Sequence, residues 1–293
     1  MGSLPFGQGP IVDAHHHLWD LDRPGYQWLR EPGDPATADW IGDYEAIRRS
    51  CAIDEYSRDA TGCGIVKSVH VEANRGARDA IDETRWLQAI AERVGFPNAI
   101  VAPVDLSASD AEAQLDQHLG SANLRGVRNV RMGGFAEPAF RNGFAALAER
   151  GLSFDANLRI EQAAGLLDLA ASFPATIIAI NNLANPPSLD GPTLARWTVA
   201  IRSLANATNI VMKISGVGMA DHHWTVELIR PWVVRAVEIF SADRCMFGSN
   251  WPVDRLYASL PDLVRAVGSI VAEFGPDASE AVLRRTAERC YRI

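Results

Sequence analysis

The amino-acid sequence predicts an α/β protein of the (β/α)8 or TIM-barrel class. Eight short apolar runs alternate with longer segments of helical periodicity, at intervals of roughly thirty to forty residues. Such alternation is typical of parallel strands joined by helices, and a count of eight favours a closed barrel over an open sheet. Because barrels of about 250 residues fold as one unit, we expect a single domain over residues 1–293.

Each predicted strand is a short run rich in apolar or β-branched residues, and most of the runs end near a polar side chain. In chain order the predicted strands are Ile11–His15, Ile65–Glu72, Ala99–Val104, Gly126–Val130, Ser153–Leu158, Thr176–Ile180, Ile210–Ile214 and Cys245–Gly248. The segments between them place apolar residues at the spacing of one helix face. They predict helices at Ala77–Val94, Ser109–His118, Pro138–Arg150, Gln162–Ser172, Pro192–Ala207, Thr225–Phe240 and Pro261–Arg292.

The stretch Leu21–Asp59 separates the first two strands and is too long for a tight strand-to-helix loop. It contains several prolines and aromatic residues, including Trp28 and Trp40, which is typical of an ordered segment. We therefore predict an ordered insertion after strand 1 that lies over the barrel mouth. Its tryptophans are expected either at the pocket or at a contact between copies in a homo-oligomer.

The composition limits the classes of partner. The formal net charge is −8 and the arginines are spread along the chain, which disfavours binding to nucleic acid. No apolar stretch approaches the ~20 residues of a membrane span, and the first residues lack the pattern of a signal peptide. The four cysteines have neither zinc-site nor disulfide spacing. We expect reduced thiols, a cytoplasmic location and a small-molecule substrate.

The strongest functional signal is a run of histidines at the end of the first strand. His15, His16 and His17 are three of the seven histidines in the chain. The working groups of such barrels lie at the C-terminal ends of the strands. Because alternate side chains of a strand share a face, Asp13, His15 and His17 are predicted to point together while His16 points away. Two imidazoles on one face suit metal binding or proton transfer.

Charged side chains close two other predicted strands. Arg128 and Arg131 lie at the end of the fourth strand, where a fork-shaped cation suits a carboxylate or an oxyanion. A surface pairing with a neighbouring acid is the alternative for both, and it carries more weight for Arg131. Glu72 closes the second strand, and three roles stay open for it: metal ligand, proton acceptor, or a group that orients a histidine.

The last two predicted strands contribute further candidates. Lys213 lies near the end of the seventh strand, and His222 follows beside Asp221 on a loop, as an acid–base group or as part of an exposed helix cap. Asn250 is the last inward group of the eighth strand, and Asp254 follows it as a proton acceptor or a solvated loop acid. No G-x-S-x-G, Walker or G-x-G-x-x-G motif opens a helix, which disfavours serine hydrolases and nucleotide-dependent enzymes.

Six segments spread over nearly the whole chain match one family pattern. They are VDAHHHLWD (12–20), VHVEA (69–73), RGVR (125–128), GLSFD (151–155), KISG (213–216) and MFGSNWPV (246–253). Together they resemble the amidohydrolase superfamily, and within it the amidohydrolase 2 group of TIM-barrel lactonases, which includes enzymes similar to L-fuconolactonase, L-rhamnonolactonase and 2-pyrone-4,6-dicarboxylate lactonase. The resemblance implies that His15 and His17 face the substrate and that Arg128 lies near a bound lactone.

The chain departs from the family pattern at two strand ends. The pattern has a histidine at the close of the sixth strand, where this chain has Asn182, and an aspartate in the eighth strand, where this chain has Asn250. A carboxamide binds divalent metals poorly and takes no proton at neutral pH. We therefore expect either no cofactor or a weakly held divalent metal, zinc above others, on His15 and His17 with Glu72 as the candidate third ligand.

The residues and the resemblance lead to one main hypothesis, in which water attacks the carbonyl of a small lactone, either sugar-lactone-like or a carboxylated cyclic ester. The groups expected to polarise the carbonyl are His15, His17, Asn182 and Asn250. The candidates for proton acceptor are Asp254, His222 and Glu72. The residues expected to bind substrate are Arg128, Arg131, Trp19, Glu72, Lys213 and Trp251. The alternatives are a decarboxylase, isomerase or cyclase on the same scaffold, and an inert ligand-binding barrel.

Overall fold

The eight predicted strands form one parallel sheet. The computed structural model describes residues 9–31, 35–73, 80–129 and 131–293. Within them the strands are β1 Ile11–His16, β2 Ile65–Val71, β3 Ala99–Val104, β4 Leu124–Asn129, β5 Ser153–Ala156, β6 Ile178–Ile180, β7 Ile210–Ile214 and β8 Cys245–Phe247. Each strand pairs in parallel with the next in chain order. This order confirms the (β/α)8 barrel.

The first and last strands come together at their C-terminal ends. The His17 amide donates to the Trp251 carbonyl at 2.7 Å, and the Asn250 amide donates to the His15 carbonyl at 2.7 Å. These hydrogen bonds join the loop after β8 to the end of β1, so the barrel closes where the histidine run lies.

Helices cover the outside of the barrel. Those described are α1 Gln27–Arg30, α2 Pro35–Ile41, α3 Ile53–Thr61, α4 Ala80–Val94, α5 Ala111–His118, α6 Pro138–Glu149, α7 Ala163–Ser172, α8 Gly191–Leu204, α9 Val217–Ala220, α10 Val226–Phe240, α11 Leu260–Val271, α12 Pro276–Glu280 and α13 Thr286–Tyr291. Side-chain oxygens cap three of them: Asp190 accepts from the Thr193 amide, and Thr225 and Ser259 do the same for α10 and α11. No helix in these ranges combines the length and apolarity that a membrane span requires.

Two sequence predictions about the helices are wrong. The expected single helix Pro261–Arg292 is broken at Gly275, which has a φ of 91° that L side chains rarely adopt, and a new helix begins at Pro276. The predicted insertion Leu21–Asp59 also extends too far at its C-terminal end. Its last part is α3, whose Tyr56 packs in the main core against the barrel wall. Two predicted boundaries, residues 77–79 and Val130, lie outside the described residues.

Side chains inside the barrel form a core separate from the one between strands and helices. Val12, Ala14, Val101 and Met246 pack there with other strand residues. The same cluster includes Tyr291 of α13, so the last helix closes the N-terminal end of the barrel. A third buried cluster, with Trp19, Tyr26, Leu29, Ile41, Tyr44, Ile47, Cys51, Ala73 and Val253, seats the described part of the insertion on the barrel mouth.

Candidate active site

His15 and His17 lie side by side at the end of β1, next to an irregularity in the pairing of β1 with β2. The pairing of β1 with β2 shifts between Asp13 and His16, and His15 Nε2 lies 3.2 Å from His17 Nε2. His16 points away, stacked on the Tyr56 ring with 4.1 Å between centroids. Asp13 points the same way, since it accepts a hydrogen bond from the Tyr56 hydroxyl at 2.9 Å. The prediction that Asp13 shares the face of the two imidazoles is therefore wrong, because strict alternation takes no account of a bulge.

The two inward imidazoles are held in their neutral form. Burial lowers the pKa of both rings well below the usual value, and the positive charges of Lys213 and Arg128 lower the pKa of His15 and His17 further. His17 Nδ1 lies 2.7 Å from the Val71 carbonyl oxygen, which only an N–H can satisfy. The proton of His17 is thus on Nδ1, and Nε2 carries a lone pair.

A cavity at the C-terminal end of the barrel has a polar side and an apolar side. Its polar lining residues are His17, Glu72, Arg128, Asn129, Asn157, Asn182 and Asn250. Its apolar lining residues are Trp28, Trp40, Ile41, Ala73, Met132, Met219 and Val253. A concave site with a few convergent polar groups on an apolar wall is typical of small-molecule binding. The predicted insertion therefore contributes Trp28 and Trp40 to the cavity wall.

Two carboxamides flank the His17 ring. Asn250 Oδ1 lies 3.3 Å from His17 Nε2, while its Nδ2 donates to Asp254 Oδ1 at 3.3 Å. Asn182 Oδ1 accepts from the Ser215 hydroxyl at 2.7 Å. Both asparagines have a left-handed backbone, with φ of 53° for Asn250 and 51° for Asn182, a conformation that asparagine tolerates better than most residues.

Arg128 and Glu72 form an ion pair in the cavity wall. Arg128 Nε donates to Glu72 Oε1 at 2.7 Å, and another guanidinium nitrogen donates to the Glu72 carbonyl at 2.6 Å. The two side chains are only 12% and 3% exposed. The charge of Arg128 is therefore balanced by its neighbour, and Glu72 Oε2 has no hydrogen-bond partner among the described residues.

Asp254 lies directly behind Asn250. Its side chain is 1% exposed, and burial raises its pKa to about 7. It does not line the cavity, and of the described polar atoms none bonds its Oδ2. The structure thus places this predicted proton acceptor one residue away from the cavity, where it contacts Asn250.

Three other predicted site residues lie elsewhere. Arg131 is 59% exposed and pairs with Asp105 at 3.5 Å, which is the surface pairing considered as its alternative. His222 is exposed and stacks on the Tyr257 ring, with centroids 4.3 Å apart. Trp19 is buried outside the cavity, behind Trp28, which meets it edge-on. Position at a strand end or on a nearby loop did not bring these side chains to the cavity.

Lys213 and Trp251 are also absent from the cavity lining. Lys213 is fully buried inside the barrel, where its ammonium bonds Asp155 and faces the Tyr291 ring, 5.2 Å from its centroid. The ring of Trp251 packs in the main core with Arg255 over it. Neither side chain reaches the cavity, because the prediction used position in the sequence and took no account of depth within the barrel.

The sequence prediction missed part of the cavity wall. Met219 contacts Asn250 Nδ2 through its sulfur at 3.1 Å, and Met132 and Asn129 also line the cavity. Met219 follows the glycines after β7, which mark a loop at the barrel mouth, so its position in the sequence was a signal for it. No sequence signal pointed to Met132.

The described side chains around His15 and His17 do not form the donor set of a catalytic metal site. The His15 and His17 Nε2 atoms are close enough to share one ion, but the third group beside them is the Asn250 amide oxygen. Glu72 is engaged by Arg128. Among the described residues no three His, Cys, Asp or Glu side chains are grouped to hold a metal. A catalytic zinc takes three strong protein donors, so these residues do not fit a tightly held one.

Comparison with known proteins gives four informative similarities. A model of the amidohydrolase family matches residues 12–293. An uncharacterised Sinorhizobium fredii protein, y4mH, is 37% identical over 97% of this chain and 98% of its own length. The L-fucono-1,5-lactonase of Burkholderia ambifaria is 30% identical over 96% and 95%. A solved amidohydrolase of Burkholderia multivorans with bound zinc superposes with a TM-score of 0.81 at 26% identity, covering 97% of this chain and all of the other.

Proposed function

The chain belongs to the amidohydrolase family, and on that premise we propose that it is a hydrolase that opens a small uncharged lactone. Water attacks the ester carbonyl at the C-terminal mouth of the barrel. One observation carries the proposal: the His17 Nε2 lone pair, fixed by the Val71 carbonyl, lies on the cavity wall beside Asn250 Oδ1. The similarity to an L-fucono-1,5-lactonase supports a lactone as the substrate class.

In this proposal His17 is the general base. It is neutral at pH 7 because burial and Arg128 lower its pKa, and its Nδ1–H is already donated to Val71. Nε2 therefore carries the lone pair that takes a proton from an attacking water, and this water replaces His15 Nε2–H, 3.2 Å away, as the donor to that lone pair. This role differs from the sequence hypothesis, which sought the base among Asp254, His222 and Glu72. His15 supports the ring of His17 from 3.2 Å away.

The charges in the wall favour an uncharged substrate. Of the lining residues that the structure describes, Arg128 and Glu72 carry full charges, and they neutralise each other at 2.7 Å. A carboxylated substrate would add a second negative charge beside Glu72. Asparagine amides suit the hydroxyl and carbonyl groups of a neutral lactone, and the rings of Trp28 and Trp40 suit its C–H face.

No step of this reaction passes through a metal, because the donor set does not fit a tightly held one. A lactone is an activated ester, so a neutral imidazole base and amide groups are a sufficient set for its opening. No described feature favours a decarboxylase, isomerase or inert binder over this reaction.

The test is a panel of uncharged and carboxylated lactones, with acid release followed by a pH indicator. We expect turnover of uncharged five- or six-membered lactones, at least tenfold higher in kcat/KM than that of their carboxylated analogues. Absence of acid release from every lactone would overturn the proposal. A preference for carboxylated lactones would overturn the charge argument.

A further inference from the structure

The two carboxamides of the cavity have partners of opposite hydrogen-bonding character. The Ser215 hydroxyl accepts the Asn182 backbone N–H at 3.2 Å and donates its single proton to Asn182 Oδ1 at 2.7 Å. The oxygen of this amide is therefore occupied, and its NH2 group is the end left to face the cavity. Among the described residues that nitrogen contacts the Met219 sulfur, which is 4.0 Å away and a weak acceptor.

Asn250 has the reverse arrangement. Asp254 Oδ1 accepts a hydrogen bond from the Asn250 NH2 group at 3.3 Å. The Met219 sulfur, also a weak acceptor, contacts the same nitrogen at 3.1 Å. The amide oxygen of Asn250 is thereby turned toward His17 Nε2, 3.3 Å away. This oxygen and the His17 lone pair are two acceptors side by side, and a single water can donate one proton to each of them.

The backbone around Asn182 holds its amide in place. Four consecutive residues, 182–185, have positive φ values between 48° and 60°, a strained left-handed turn. Trp197 Nε1 donates to the Leu183 carbonyl at 2.6 Å, and Asn185 Nδ2 donates to Asn157 Oδ1 at 2.8 Å. Gly216 packs so closely that a Cβ there would lie 2.7 Å from the Asn182 amide carbon.

We propose that Ser215 and Asp254 are positioning residues that give two chemically identical amides opposite roles. The inference rests on the proposed lactone hydrolysis. Asn182 presents its NH2 group to the lactone carbonyl and stabilises the oxyanion. Asn250 presents its oxygen to the attacking water, which donates one proton toward Asn250 Oδ1 and the other to His17 Nε2.

The step balances without another reactant. The water oxygen forms a bond to the carbonyl carbon as His17 Nε2 takes one water proton. The bond from that carbon to the ring oxygen then breaks, and His17 returns the proton to the departing alkoxide. The product is the hydroxy acid, and the second water proton stays with its carboxyl group until that group ionises.

Isosteric replacement of each amide by a carboxyl group tests the two roles. Asn182→Asp removes the donor, whereas Asn250→Asp keeps an acceptor toward the water. We expect Asn182→Asp to lower kcat at least tenfold more than Asn250→Asp, with KM little changed. Equal losses, or a larger loss in Asn250→Asp, would overturn the proposal.

The positioning role of Ser215 has a matched pair of variants. Ser215→Thr keeps a hydroxyl and Ser215→Val replaces it with a methyl group of similar size. We expect Ser215→Val to lower kcat at least tenfold relative to Ser215→Thr at equal KM and similar thermal stability. Equal kcat in the two variants would refute the role of the hydroxyl.

A neutron structure of the deuterated protein tests the amide orientations without any substrate. The expected result is deuterium on the cavity end of Asn182 and on the Asp254 end of Asn250. The reverse orientation of either amide would overturn the proposal whatever the enzyme hydrolyses. Absence of lactone turnover together with the expected orientations would instead refute the proposed function.

Discussion

The ion pair between Arg128 and Glu72 makes a sharp prediction about substrate charge. Glu72→Gln removes the negative charge but keeps an oxygen that accepts from Arg128 Nε, which now lies 2.7 Å from Glu72 Oε1. The cavity wall then carries an uncompensated guanidinium. We expect the variant to bind and hydrolyse carboxylated lactones better than the wild type does.

The magnitude follows from the burial of the pair. Two unit charges about 4 Å apart interact by roughly 4 kcal/mol at an effective dielectric constant of 20. A substrate carboxylate would occupy a wetter position than Glu72 does, so we expect about 1.5 to 2 kcal/mol, or a roughly ten- to thirtyfold gain in kcat/KM for the carboxylated substrate. Leaving Arg128 buried without its partner should also lower the free energy of unfolding, by about 3 kcal/mol.

The assay compares kcat/KM for a carboxylated and an uncharged lactone of the same ring size. The matched control is Asp105→Asn, which removes an acid from the exposed pair with Arg131 outside the cavity lining. That control should leave the ratio unchanged. A ratio that stays at the wild-type value in Glu72→Gln would refute the reasoning, because it would mean that the pair does not set the charge of the site.

Three further predictions concern the histidines of β1, the buried carboxyl group of Asp254 and the buried ion pair of Lys213. His15→Ala and His17→Ala should each lower kcat by about two orders of magnitude or more, with the fold intact by circular dichroism. His16→Phe keeps the stacking on the α3 tyrosine and should change kcat less than threefold. Equal losses in all three variants would contradict the assignment of His15 and His17 to the cavity side of β1 and of His16 to the other side. Asp254 has a folded pKa of about 7, above the usual 3.8, so the folded state binds its proton more tightly and the free energy of unfolding should fall as pH rises from about 4 to 7. Asp254→Asn should remove this fall, worth up to about 4 kcal/mol, in urea titrations across that range, and an unaltered slope would count against it. Lys213→Met should lower the free energy of unfolding by about 3 to 5 kcal/mol, because it leaves the fully buried carboxylate of Asp155 without its cationic partner. A melting temperature equal to that of the wild type would contradict this prediction.

The strands were the most predictable part of the molecule. Ala99–Val104 and Ile210–Ile214 agree with the structure residue for residue, because a buried parallel strand is a short apolar run with clear ends. The closing helix was less predictable. Its amphipathic pattern continues past Gly275, and only the backbone reveals the φ of 91° that ends α11 and its following turn.

The sequence predicted the candidate site correctly only where the local periodicity of a strand determines which way a side chain points. The pairing of His15 and His17 follows from alternation, whereas the outward turn of Asp13 depends on a bulge that alternation does not contain. The charge balance at Arg128 depends on Glu72, which lies 56 residues away in the chain. Lys213 has the same sequence signal as a residue at the mouth, yet its side chain lies deep in the barrel.

Acid release from an uncharged lactone by the wild type and by His17→Ala tests the central claim most directly. Both proteins are first treated with a chelator and their metal content is measured. The account predicts that the chelated wild type continues to turn over the lactone and that His17→Ala loses turnover by at least a hundredfold. Two results would contradict it: no acid release from any lactone by the wild type, or turnover that disappears on chelation and returns with zinc.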